Sequence, residues 1–157
     1  QRVYTKTYTG KNITPKVVVT VDGLKLRNGV DYTVKYTNNK NIGNGKITIT
    51  GINAYRESTT FKLKIRPAKA KVAKKKITKK KATLKLSKVL GATGYEVSYS
   101  TKSNFKKKNT VTKKTKKLKV TVKRTKKMPK GYIRVRAYKK VGKKYYYGKY
   151  SKKIRVK

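Results

Sequence analysis

The stretch Gly131-Tyr132-Ile133-Arg134-Val135-Arg136-Ala137-Tyr138 decides the fold. Ile133, Val135 and Ala137 alternate with Tyr132, Arg134, Arg136 and Tyr138. In a strand, successive side chains project to opposite faces, so this segment is apolar on one face and basic and aromatic on the other. The same pattern recurs outward in both directions. Tyr95, Val97 and Tyr99 alternate with Glu96 and Ser98. Leu118, Val120 and Val122 alternate with Lys117, Lys119, Thr121 and Lys123. Ala82, Leu84 and Leu86 form another such set, and Ile154 and Val156 alternate with Lys153, Arg155 and Lys157. No segment carries a 3.6-residue period.

The N-terminal part reads the same way. Lys16–Val21 is β-branched and lies between Pro15 and the turn dipeptide Asp22-Gly23. Val30, Tyr32, Val34 and Tyr36 share one face of a strand, which Asn38-Asn39-Lys40-Asn41 ends. Gly43-Asn44-Gly45 reads as a further turn, followed by alternation in Lys46–Thr50 and at Phe61, Leu63 and Ile65. The Tyr145-Tyr146-Tyr147 run reads as a strand or hairpin packing element, with a sugar-stacking platform as the alternative. Short strands separated by turn signals predict an all-β chain of antiparallel β-sandwiches.

Charge divides the chain in two. It holds 48 Lys plus Arg against four acidic residues in 157, a formal net charge of +44. Residues 1–66 carry 13 basic and three acidic side chains; residues 67–157 carry 35 and one. Two small sandwiches in tandem are therefore expected, over 1–66 and 72–157, with Pro67-Ala68-Lys69-Ala70-Lys71 as the linker.

The composition also limits the chemistry. The chain has no His and no Cys, which removes the common general base and the thiol nucleophile. The reading is not an enzyme, with no cofactor and no metal site. Asp22 and Asp31 read as turn formers and partners of basic side chains rather than metal ligands. A Lys–Asn isopeptide cross-link needs a buried carboxylate, and alternation turns Glu96 outward. No apolar run approaches the ~20 residues that span a bilayer, so no membrane insertion is expected. The chain begins in mid-pattern at Gln1. It reads as a fragment whose signal and anchor lie outside it.

These residues resemble two known families. Tyr8-Thr9-Gly10-Lys11, Ile13-Thr14-Pro15, Asn28–Asn39 with its Gly29-Val30-Asp31-Tyr32 centre, and Gly51-Ile52-Asn53-Ala54-Tyr55 resemble the bacterial immunoglobulin-like repeats of Firmicutes surface proteins. Arg56 stands where that family has Gly. Gly91-Ala92-Thr93-Gly94-Tyr95-Glu96-Val97-Ser98-Tyr99-Ser100, Arg134–Tyr138 and Tyr147-Gly148-Lys149-Tyr150-Ser151 resemble the fibronectin type III-like modules of the same organisms. There, Leu86 stands in place of a core tryptophan and Gly131 in place of an inward tyrosine. The resemblance implies non-catalytic scaffolds on the surface of, or secreted by, a Gram-positive bacterium. It also implies that the strand containing Arg134 lies beside the strand containing Arg155.

That neighbourhood sets the expected site. Tyr132, Arg134, Arg136 and Tyr138 would share an outer face with Lys153, Arg155 and Lys157, as three guanidinium forks among tyrosines. Lys85, Lys117, Lys119 and Lys123 would form a second basic face on the opposite sheet. The expected partner is an anionic polysaccharide or cell-wall polymer: teichoic acid, or an acidic, sulfated or sialylated glycan. Nucleic acid would bind only non-specifically, through charge. The alternatives are a structural spacer in a repeat array and an adhesin that binds a host protein.

Overall fold

A computed structural model describes residues 3–124 and 130–157, and divides the chain into two compact units, Gln1–Arg66 and Pro67–Lys157. Both are built from strands. Among the described residues the one helical element is a 3-10 turn at Lys107–Asn109.

The first unit contains β1 (Val3–Thr7), β2 (Thr20–Val21), β3 (Leu24–Lys25), β4 (Tyr32–Thr37), β5 (Gly43–Gly51) and β6 (Ser58–Arg66). Four of them form a sheet in the order β1-β6-β5-β4, with β1 parallel to β6 and the other pairs antiparallel. Ile47, Leu63 and Ile65 point inward from it and are fully buried. Tyr32, Ile49 and Leu26 are buried together, with Val17, Val19, Val34, Tyr55 and Phe61 packed against them.

The layer covering this sheet is thinner than expected. The predicted strand Lys16–Val21 pairs only at Thr20–Val21, with β3. Before it, Val17 and Val19 pack inward, but tyrosine hydroxyls take the backbone acceptors that a ladder would have used. Tyr36 Oη donates to the Pro15 carbonyl at 2.6 Å, and Tyr32 Oη to that of Val17 at 3.2 Å. The hairpin that follows turns on Asp22 and Gly23, at φ of 48° and 81°. Two left-handed residues in succession match the strand twist, and Asp-Gly supplies them at low steric cost. Gly43-Asn44-Gly45 is not a turn. Asn38, at φ 53°, reverses the chain earlier, and the three residues open β5 opposite Ile65, Lys64 and Leu63.

The second unit contains β7 (Val72–Ile77), β8 (Lys81–Leu86), β9 (Gly94–Ser100), β10 (Thr110–Thr115), β11 (Lys119–Lys123), β12 (Gly131–Val141), β13 (Lys144–Tyr147) and β14 (Ile154–Val156). One sheet runs β11-β8-β7; the other runs β10-β9-β12-β13, with β14 also on β12. Their inner faces close on Leu84, Leu86, Val97, Tyr99, Ile133, Val135 and Val156. The residues expected as linker belong to this unit. Ala70 is 1% exposed within its core, and Ser87 N–H donates to the Lys71 carbonyl at 3.0 Å. A small side chain followed by a backbone bond makes 67–71 an edge of the sandwich rather than a free tether.

Two of the three departures noted in the sequence, Leu86 and Gly131, have a physical setting. Leu86 is 2% exposed in the core. At Gly131 a Cβ would meet the Ser100 carbonyl oxygen at 2.2 Å, so β12 approaches β9 there too closely for any side chain.

Candidate functional site

The outer face of the β9–β12 sheet is covered, not open. All seven residues of β9 are buried, although its sheet has one face turned away from the core. Glu96, Ser98 and Ser100 point away from the core, yet their exposures are 5%, 1% and 0%. What covers them is a layer of side chains from β10, β12 and β13, from Phe105 and from the segment after β13.

The order of that layer is an alternation of rings and cations. The Arg134 guanidinium lies 4.1 Å from the Phe105 ring centroid and 3.8 Å from that of Tyr150. Arg136 lies 4.6 Å from Tyr150 and 3.7 Å from Tyr147. Tyr147 stacks on Tyr145, with centroids 6.1 Å apart at 17°. Lys114 Nζ caps Tyr145 at 4.0 Å. A guanidinium held over a ring face is attracted by the ring quadrupole, by about 2 kcal/mol or more where water is excluded.

Local structure sets this stack. Arg134 and Arg136 are two apart on one strand and therefore on one face. Tyr147 and Tyr150 interleave with them because the chain stays beside β12 after β13 ends. Gly148 N–H donates to the Ala137 carbonyl at 2.9 Å, and Ser151 N–H to that of Val135 at 2.7 Å. Ser151 Oγ also accepts from Val135 N–H at 3.0 Å.

Beneath the stack, one carboxylate oxygen of Glu96 is engaged three times. Arg136 Nε and Nη2 each reach its Oε1 at 2.7 Å, and Tyr150 Oη donates to the same oxygen at 2.9 Å. Glu96 therefore does face outward from its sheet, but it is buried by its own partners. Arg134 Nε is buried with no hydrogen-bond partner among the described residues, and its guanidinium lies between two rings. On the other flank Lys114 lies opposite Glu96 in the β10–β9 register. Its pKa is raised, first by a hydrogen bond with the Tyr147 hydroxyl.

The expected set of residues thus splits. Tyr138 does lie on the outer face, but it is 6% exposed, with Tyr145 and Tyr147 edge-on at 5.3 and 6.2 Å. Burial raises its pKa. Arg134 and Arg136 are half-buried in the stack, and the fork of Arg136 is taken by Glu96. The three arginines therefore do not form one open face of forks. The reason is that Phe105, Tyr150 and Tyr147 interleave with the two arginine side chains of β12.

Arg155, Lys153 and Lys157 are exposed. The expected pairing of their strand holds: Arg155 lies directly opposite Tyr132 in the β12–β14 ladder. Tyr132, Arg155 and Lys157 line an open cleft of about 530 Å³ with Thr101 and Lys130. Sequence reasoning missed Lys130.

On the other sheet, Lys85 and Lys119 are paired across strands and exposed, as are Lys81 and Lys123. Lys117 sits in the β10–β11 turn, its N–H bonded to Thr115 Oγ1 at 3.1 Å. Among the described residues no group of three or more His, Cys, Asp or Glu could hold a metal, and no helix is long and apolar enough to cross a membrane.

No family model and no curated protein matches the chain. Among solved structures, it is similar to the FN1-FN3 domains of chicken CNTN1, with 11% identity and a TM-score of 0.45 over 74% of this chain and 43% of that one. It is also similar to domains A168-A170 from titin, with 11% identity and a TM-score of 0.39 over 98% of this chain and 61% of that one. The chain spans less than two thirds of the length of either. Its all-β class stands on the sheets described above.

Proposed function

We propose that the chain is a non-catalytic binding or tethering module, carried outside a Gram-positive cell, whose second unit engages an anionic polymer. One observation carries this reading. Residues 67–157 hold 35 basic side chains and one acid, and that acid, Glu96, is already spent on Arg136 and Tyr150. The unit therefore has no carboxylate side chain left to neutralise the rest. Solubility alone calls for a net charge of only about 2–8 in a small domain, and an excess this large costs self-repulsion. A polyanion outside the unit offsets that cost.

The test is binding to a panel of anionic polymers across a salt series. The panel includes Gram-positive cell wall, a sulfated glycan and an acidic polysaccharide. Affinity surviving at about 0.15 M salt, where exposed charges are screened beyond about 8 Å, supports the reading. Loss of all binding at that salt leaves a spacer.

A further inference from the structure

The β7-β8-β11 sheet places like charges directly opposite one another. In one row across the three strands, Lys74 is opposite Lys85, and Lys85 is opposite Lys119. The next row is Lys76, Thr83 and Thr121, whose two hydroxyls lie 3.4 Å apart. The third row pairs Lys81 with Lys123. The six lysines are all exposed. Neighbouring strands are about 4.8 Å apart, and same-face residues along a strand about 6.8 Å apart.

Such an arrangement works against the fold. Like charges opposite each other across a ladder are destabilising. Strand pairing fixes the bases of these side chains in register. The sequence could have relieved the rows with a carboxylate, but Glu96, the sole acid of the unit, lies on β9, in the other sheet.

We infer that this lysine-paved face is the docking surface for a linear phosphodiester polymer without bases, a polyol-phosphate chain. This rests on the polyanion reading above and assigns it a face and a chemical class. Three features select the class. An ammonium is a compact point charge that binds phosphate without needing fork geometry, whereas planar, bidentate recognition of either carboxylate or phosphate favours arginine. Arg134 and Arg136 are withdrawn into the stack on the other sheet. The rows offer lysine and threonine but no ring on which a base could stack, and stacking is what single-stranded nucleic-acid binders use. The row Lys74-Lys85-Lys119, one ammonium on each of three strands, suits a chain that bears a charge at every repeat.

The experiment uses the full chain, with poly(glycerol phosphate) as the probe and titration across a salt series. One variant carries Lys74→Gln, Lys85→Gln and Lys119→Gln. A second, equal in charge, carries Lys153→Gln, Arg155→Gln and Lys157→Gln. The first is expected to lose more than about tenfold in affinity and to flatten the salt slope by about two to three, as loss of three phosphate contacts does. The second loses several-fold less. Lys74→Arg, Lys85→Arg and Lys119→Arg together keep the charge and retain binding. Equal losses in the two glutamine variants overturn the face assignment while the polyanion reading stands. Tighter binding of single-stranded DNA or of a polyuronate than of poly(glycerol phosphate) at matched charge overturns the chemical class. If the unaltered chain binds none of these polymers at physiological salt, the polyanion reading itself fails.

Discussion

Arg136 lies directly opposite Glu96 across the β12–β9 ladder, and two of its nitrogens reach one carboxylate oxygen at 2.7 Å. With Tyr150 Oη on the same oxygen, this joins the two central strands of the larger sheet to the segment after β13. Removing one partner of a buried pair leaves the other charge uncompensated. Glu96→Ala should therefore destabilise the second unit by about 3 kcal/mol, seen in urea unfolding as a lower midpoint with unchanged slope. The more open pair of Arg27 and Asp31, with side chains 72% and 18% exposed, is the control. Asp31→Asn should leave the transition of the first unit nearly where it was, because exposed pairs are screened.

Arg-to-Lys exchanges should separate structural arginines from surface ones. Arg134→Lys keeps the charge but loses the planar group between Phe105 and Tyr150, and should cost about 1–2 kcal/mol. Arg136→Lys should cost at least as much, because the fork on Glu96 goes too. Arg155 is exposed opposite Tyr132, and Arg155→Lys should be neutral to stability. Three equal responses in thermal melts would show that the ring–cation stack does not hold the unit together.

Salt should stabilise the second unit. Screening weakens repulsion between exposed charges, so its melting temperature should rise with added NaCl, and rise further with sulfate. Lys85 meets a lysine on each side. Lys85→Gln should thus raise the melting temperature at low ionic strength by ~2 °C, and the gain should vanish at high salt. A melting temperature independent of salt would mean that the lysine rows exert no strain.

The buried tyrosines set an alkaline limit. Burial raises the hydroxyl pKa of Tyr95, Tyr99 and Tyr138. A native value above the unfolded one, near 10, means that the neutral form is favoured by folding. Their contribution is intact below about pH 10 and is lost as pH rises through the native value. Tyrosinate absorbance against pH should show a late-ionising group among the 13 tyrosines. Tyr138→Phe should shrink the late group, and denaturant should abolish the lag. A single transition in the native protein would contradict the burial of these rings.

Much of the fold was legible because strand burial has a period of two. Ile133, Val135 and Ala137 had to face inward, and they are fully buried. Asp22-Gly23 had to turn, because two adjacent left-handed residues are cheap there. Local pattern failed where a tertiary partner took over a backbone group. Tyr32 and Tyr36 hold the Pro15–Val17 stretch out of a ladder, and nothing in Lys16–Val21 itself announces them.

The candidate site shows the same division. By itself the sequence determined the charge, its concentration after residue 66 and the two faces of every strand, because these follow from composition and alternation. Alternation says which side of a sheet a residue faces, but not whether that side meets water. Only the tertiary structure decided that Arg134 and Arg136 are stacked between rings, and that Glu96 is buried on an outward face. It also decided that Lys74, Lys85 and Lys119, far apart in sequence, share one row. Register between distant strands is set by the packing of the whole core, and no window of neighbouring residues contains it.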